Sequence, residues 1–548
     1  MNSARICHKL AVLSACCFLH TLVSARTLHV ETQEEFDKLS VCIKEYVSEG
    51  EKEIDVQFVP GVYYFREGHL DFSDVQWPGV HVSIGGNGAC FVGKGQLVRP
   101  GDAVGSYDRA AGWLDAADLE PKDMDGRIRS ARFFPIPRLF RTKSFRLPTY
   151  ETDMDEEEAK DVYVIVTQWF KGEVYKVDRI HRGFIYYHRI HYAGTPWYSE
   201  LRFGRCLPRY RLVNAPGRQE IYIHEGRLHA PESLYRSDAS SFLKMERAVV
   251  GTVRVQGCRF IGNAGRQPLI LLRDVRADSV TVAHCAIQGI RDQVVAVHRS
   301  NHVCFRNNVA RHCWRSVFWS DPYSSDILVT GNELSDHALA FSNDPVIFCM
   351  GKRLHISDNR ISDFTYSAIS VGAHYSFDCE GGASGVVQYN EIFHTEDFSQ
   401  KPMRSLIDGG AIYVYTQNTG MLIRANYIHD ICGYHGNRGI LCDDGVNNVC
   451  LSENLVVNIE NAYPIDLRKS NKNTRVKGSH VKRCNMHNRV IGNVTDAPCR
   501  LYVRKGDALS GVNGNVLVDG QTPREEWDER WQRLRSHRET QNNNSSFE

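Results

Sequence analysis

The sequence predicts an all-β chain wound as a right-handed parallel β-helix, with an inserted β-rich subdomain and a short C-terminal helix. Three observations carry this. A six-residue pattern (apolar, two linking residues, Asn or Cys, any residue, apolar) recurs through the second half of the chain. The recurring segments are rich in Val and Ile and lack a helical period. Their spacing is uneven, as expected of a coil with fixed strands and variable loops.

The repeat opens at Val255-Gln256-Gly257-Cys258-Arg259-Phe260 and closes at Val512-Asn513-Gly514-Asn515-Val516-Leu517. Its marker positions are 258, 285, 307, 332, 359, 390, 426, 454, 493 and 515, with Asn307 and Asn493 the least regular. They define about ten rungs between Val253 and Asp519, a stack of roughly 48 Å at the strand spacing of a sheet. Asn suits such corners because it tolerates left-handed backbone, and stacked amides bond along their column. One rung cannot bury its apolar side alone; stacking buries it. The leucine consensus of leucine-rich repeats is absent.

With 548 residues the chain exceeds a single compact core. Its hydrophobic content of 42% and charged content of 24% are ordinary, and a net charge of +1 provides no argument for a nucleic-acid or membrane-surface partner. Residues 1–25 read as an export signal: His8-Lys9, an apolar run from Leu10 to Val23, then Val23-Ser24-Ala25 as cleavage site. The run is too short to span a bilayer. The expected location is periplasmic or secreted; Leu13-Ser14-Ala15-Cys16, a lipobox, keeps a lipid-anchored outer-membrane form as the alternative. Of 17 cysteines, 14 follow the signal, without a Cys-x-x-Cys pair. They read mostly as small core residues, with no disulfide connectivity legible.

Residues 26–100 read as N-terminal rungs, 101–245 as the insertion, 246–520 as the main coil and 521–548 as a helix with a disordered tail. The early segment Phe58-Val59-Pro60-Gly61-Val62-Tyr63-Tyr64-Phe65 is a strand broken by a Pro-Gly turn. It resembles the opening of pectate-lyase-like β-helices. In the insertion, 162–166 and 183–187 look like strands; Trp169, Trp197 and Tyr198 read as core aromatics, with stacking on sugars as the alternative. In the tail, Trp527, Trp531 and Leu534 sit at helical spacing, as expected of a helix covering the end of the coil. Residues 538–548 read as disordered.

Aligning the rungs on their markers places His298, Asp321, His374, Tyr415, Asp443 and Arg468 at or near the ends of equivalent strands. Stacking makes them one flank of a groove suited to an elongated polymer. Two motifs sharpen this: Asp408-Gly409-Gly410-Ala411-Ile412-Tyr413, and Gly439-Ile440-Leu441-Cys442-Asp443-Asp444-Gly445. Asp408 and Asp443 lie 35 residues apart, about one rung, so they are expected to face each other across a narrow gap. Two such carboxylates suit glycoside hydrolysis: one protonates the leaving oxygen, the other attacks or activates water. The bland alternative makes both Asp turn residues.

These motifs, with Ile423-Arg424-Ala425-Asn426-Tyr427-Ile428-His429-Asp430 between them, resemble β-helix glycoside hydrolases, especially families 141 and 120. The resemblance is strongest over 385–460. It implies hydrolysis of plant or host glycans, with Asp408 and Asp443 at the acidic positions. Leu441-Cys442 stands where relatives commonly carry Tyr-Leu, which leaves the sugar open. Asp444, Tyr413, Tyr415, His374, His435, Arg438 and Arg468 are the expected substrate-binding residues. The expected partner is an oligo- or polysaccharide substrate and the chain itself is expected to be a monomer, with no nucleic acid, no integral membrane segment, no metal and no cofactor. Two rivals stand beside this reading. A polysaccharide lyase would use Arg438, Arg468 or Lys469 on a uronate, with Ca²⁺ as its cofactor. A non-catalytic glycan-binding coil would need no converging carboxylates.

Overall fold

The structure, a computed structural model, describes residues 25–97 and 241–518 apart from short segments, the strands lying between these regions, and a helix from Arg524 to Ser545. The export signal, 373–381, 399–408, 433–437, 469–474, 481–486 and 503–509 lie outside the described residues. So do Trp169, Trp197 and Tyr198.

Three long sheets of 13, 12 and 11 strands form a right-handed parallel β-helix. Each rung contributes one strand to each sheet in turn. Val249–Gln256 joins the first, Arg259–Asn263 the second and Ile270–Arg273 the third; Arg276–Ala283 then returns to the first. The pairing is parallel and in register, Val255 on Val282 and Phe260 on Ile287. Inward side chains alternate with outward ones, and the stacked Val, Ile and Phe residues make one continuous core. Pro60-Gly61 is the corner between Glu53–Phe58 in the first sheet and Val62–Phe65 in the second.

The Asn column is present, with two corrections. The left-handed residue is the one before each Asn, such as Tyr389 (φ 56°), Ala425 (φ 48°) and Glu453 (φ 58°). Asn is selected for its amide instead. The third marker is Asn308, not Asn307: its amide donates to Asn332 (3.1 Å), and the chain of bonds continues through Asn359, Asn390, Asn426, Asn454 and Asn493 to Asn515. Asn426 is fully buried; its Oδ1 accepts from the backbone and amide of Asn390, and its Nδ2 donates to Asn454 and Val387. Asn426→Ala strands several buried polar groups at once and is expected to cost about 3 kcal/mol. Urea denaturation measures this; a loss below about 1 kcal/mol would mean that water replaces the amide.

The ends were less legible. A helix unforeseen in the sequence, Gln33–Ser48, closes the N-terminal end: Phe36, Leu39 and Ile43 enter the core against Phe58, Tyr63 and Phe91. Thr32 and Glu35 form its capping box. The C-terminal helix does not cover the end of the coil. Trp527 and Trp531 lie against Tyr427, Leu455 and Val457, outward residues of the second sheet. It also runs through Ser545, past His537, where disorder was expected to begin. Ion pairs one turn apart, Arg530 with Glu526 and Arg533 with Glu529, support its exposed face. No described helix is long and apolar enough to cross a membrane.

The helix is tied down by Arg524, which reaches Asp430 (2.9 Å), and by Asp528, which accepts from the Tyr427 hydroxyl (3.0 Å). Asp430 also pairs with buried His429 (2.7 Å), whose other nitrogen lies 3.6 Å from Glu391, itself paired with Arg360. Burial opposes charge on His429, but the hydrogen bond to Asp430 and the nearby Glu391 carboxylate outweigh it and raise its pKa. A raised folded-state pKa stabilises fully below the unfolded value and less as pH climbs through the folded one. Stability is therefore expected to fall as pH rises from about 6. His429→Gln is expected to flatten that slope in thermal melts; an unchanged slope would assign it elsewhere.

The insertion leaves the coil after Cys90–Gly93 of the second sheet and rejoins at Leu243–Glu246 of the third. Gly95–Leu97 and Tyr235–Ser237 pair antiparallel as its neck. Beyond it, Phe145–Pro148, Val162–Gln168, Lys171–His181, Phe184–Arg189 and Glu200–Arg205 form a five-stranded antiparallel sheet.

Candidate functional site

Most of the predicted site residues that the structure describes gather on the outer face of the third sheet. Its strands Ile369–Val371, Gly410–Val414, Arg438–Cys442 and Ile465–Leu467 turn aliphatic residues or Cys inward, Ile412 and Val414 over Ile440 and Cys442 over Ile465 and Leu467. Outward, one register column reads Trp319, Phe348, Ser370, Tyr413, Leu441, Asp466 and Arg500. In the chain, the connections 372–382 and 468–488 follow strands of this sheet, and 394–409 leads into one.

Two glycines bring the strands together. A Cβ at Gly439 would fall 2.2 Å from Val456 Cγ1 and 2.5 Å from the Pro464 carbonyl oxygen; one at Gly410 would lie 3.0 Å from the Leu441 Cβ. Both glycines are needed for close packing, and neither adopts a left-handed conformation.

The flanking column at the strand ends contains His298, Asp321, Tyr415, Asp443 and Arg468. Of the two early members, one is tied into a turn. Asp321 accepts from the backbones of Arg299 and Tyr323 and from the Ser324 hydroxyl, so it organises a turn. The His298 ring lies 4.7 Å from Trp319, and burial lowers its pKa.

Asp443 follows the end of Arg438–Cys442, with its side chain 14% exposed. One oxygen accepts from the Tyr413 hydroxyl (2.8 Å) and the other from Arg468 Nη1 (3.1 Å). Burial, then the neighbouring Tyr366 and Asp443, push the Tyr413 phenol far above its ordinary pKa, so it remains a donor. Tyr415 lies 4.6 Å from Tyr413 and stacks on Phe348, while Tyr366 stands 6.0 Å from Tyr413. Aromatic side chains thus run from Trp319 and Phe348 up to the carboxylate.

Arg468 also donates its Nε to Asp466 (3.1 Å). Asp466 is entirely buried and further accepts from Arg438 Nε (3.1 Å) and from Arg500 Nε (2.7 Å) and Nη2. Arg500 lies over the Tyr463 ring (4.7 Å).

The register places the predicted residues unequally. Tyr413, Tyr415, Asp443, Arg438 and Arg468 converge on this face. One rung before Asp443 the equivalent residue is Tyr415, not Asp408. Gly410, which Asp408 leads into, pairs with Arg438 at the opposite end of the strand from Asp443. A spacing of 35 residues is not one step here because this rung, from Tyr415 to Asp443, takes 28. Asp408, Asp444, His374 and His435 lie outside the described residues. Asp466, Arg500, Tyr463, Tyr366 and Phe348 were not foreseen as site residues. The signal for Asp466 was there, a charge between inward Ile465 and Leu467; its partner Arg500, 34 residues on, is set only by stacking.

No protein family and no curated protein sequence matches the chain. By architecture it is a parallel β-helix protein carrying an inserted antiparallel sheet. Among solved structures, one named "Glycoside hydrolase" is similar over 91% of this chain and 97% of its own, at 11% identity and a TM-score of 0.49. The tailspike of an Acinetobacter baumannii bacteriophage in complex with capsular saccharide is similar over 90% of this chain and 78% of its own, at 10% identity and a TM-score of 0.21.

Proposed function

We propose that this chain is an exported glycan-cleaving enzyme, a glycoside hydrolase working on the outer face of its third sheet. The observation that carries the reading is the Asp443 carboxylate, with one oxygen oriented by Tyr413 and the other by Arg468, at the end of an aromatic-lined face. A carboxylate whose oxygens accept hydrogen bonds suits the role that attacks the anomeric carbon or activates water. Asp408 and Asp444 are the candidates for the proton donor to the leaving oxygen in this reading. Tyr413, Tyr415, Arg438 and Arg468, with His374 and His435, complete the substrate-binding set in this reading.

The arginines also invite the lyase reading, in which a base abstracts a proton beside a uronate carboxyl. Arg438 and Arg468 are poor bases: a guanidinium keeps its proton, and both donate to carboxylates here. The deciding experiment measures reducing ends and ultraviolet absorbance of unsaturated products on a panel of plant and host glycans. Reducing ends without ultraviolet gain are expected; ultraviolet gain would establish elimination instead.

A further inference from the structure

Arg438, Arg468 and Arg500 converge on Asp466, and Asp443 is the second carboxylate, bound through Arg468. Asp466 is spent on all three. Arg438 is nearly buried and Arg468 mostly so, but the Arg500 side chain is 46% exposed. Its Nε and Nη2 bind Asp466, and its Nη1 has no hydrogen-bond partner among the described residues. The Tyr463 ring beneath it is itself 39% exposed. A half-open guanidinium, anchored from behind on a buried carboxylate and backed by an aromatic ring, is a preorganised receptor for an anion.

We infer that Arg500 binds a carboxylate or sulfate carried by a sugar, so that the glycan cleaved at Asp443 is acidic. The sugar rests on the glycan-cleaving reading; the anion site does not. Arg500 occupies the rung beyond Arg468, which itself lies one rung beyond Asp443. The charged group therefore sits to one side of the reacting bond, on a neighbouring ring, and fixes the register of the chain in the groove.

The test is anion binding by thermal shift, using galacturonate, inorganic sulfate, galactose, and sodium chloride at matched ionic strength. A ligand that binds only the folded chain raises its melting temperature. Galacturonate or sulfate is expected to raise it, and galactose and chloride are not. Response to galacturonate alone assigns a carboxylated sugar, and to sulfate alone a sulfate ester. Arg500→Ala is expected to weaken the anion about tenfold. Arg500→Lys, which keeps the charge and loses the fork, should fall between the two and covers the case of a poorly folded alanine variant. No shift with either anion, or equal shifts in the wild type and both variants, overturns the inference. Cleavage is scored separately. A chain that binds the anion and cleaves no glycan sinks the hydrolase reading alone, and one that cleaves glycans without an anion shift sinks this inference alone.

Discussion

Asp443→Asn is expected to lower kcat on the responsive glycan about a thousandfold, the usual weight of a positioned carboxylate in proton transfer or attack. The substitution is nearly isosteric. The Asn oxygen still accepts from Arg468 or Tyr413, so the fold survives while the nucleophilic charge is gone. The melting temperature serves as control. Asp408→Asn and Asp444→Asn identify the acid: its loss should be severe on natural glycosides and mild on aryl glycosides, whose leaving group needs no proton. If Asp443→Asn retains activity within a few-fold of wild type, Asp443 is an orienting residue and the catalytic assignment fails.

Asp466→Ala is expected to destabilise the chain by about 3–5 kcal/mol, because it removes the buried counter-charge of three guanidiniums. Asp466 is fully buried, so water cannot take its place. Arg500→Ala should cost far less, under about 1 kcal/mol, since its side chain is 46% exposed and screened. Asp466→Asn keeps the shape and one acceptor and should fall between. Urea midpoints at constant slope measure all three. A loss under about 1 kcal/mol for Asp466→Ala would show that the arginines separate freely, which would also remove the argument for a preorganised anion receptor.

Much of this architecture was legible because a solenoid makes distant contacts periodic. Once Asn332, Asn359, Asn390, Asn426 and Asn454 are seen as one position, the strand after each is aligned, and Tyr415, Asp443 and Arg468 fall into one column without coordinates. Counting residues does not give the rung where loop length varies. Asp408 and Asp443 looked one rung apart by count, but the strand register pairs Gly410 with Arg438 and Tyr415 with Asp443. The Gln33–Ser48 helix carries local signals, a capping box and apolar positions at Phe36, Leu39 and Ile43, inside an otherwise β-rich N-terminal region. The C-terminal helix was recognised from Trp527 and Trp531, but its seat on Tyr427 and Val457 was not.

By itself the sequence determined the coil, its Asn column, the placement of an insertion before the main run of rungs, and the strand ends where polar groups gather. These follow from local periodicity and from side chains that must alternate in and out of a sheet. Only the tertiary structure decided that Asp466 is a buried hub, that Arg500 reaches it from 34 residues away, and that Tyr413 and Arg468 orient Asp443. The physical reason is that charge pairing depends on which rung lies over which. That register is set by hydrogen bonds between strands and by the packing of glycines such as Gly439, and neither leaves a period in the sequence.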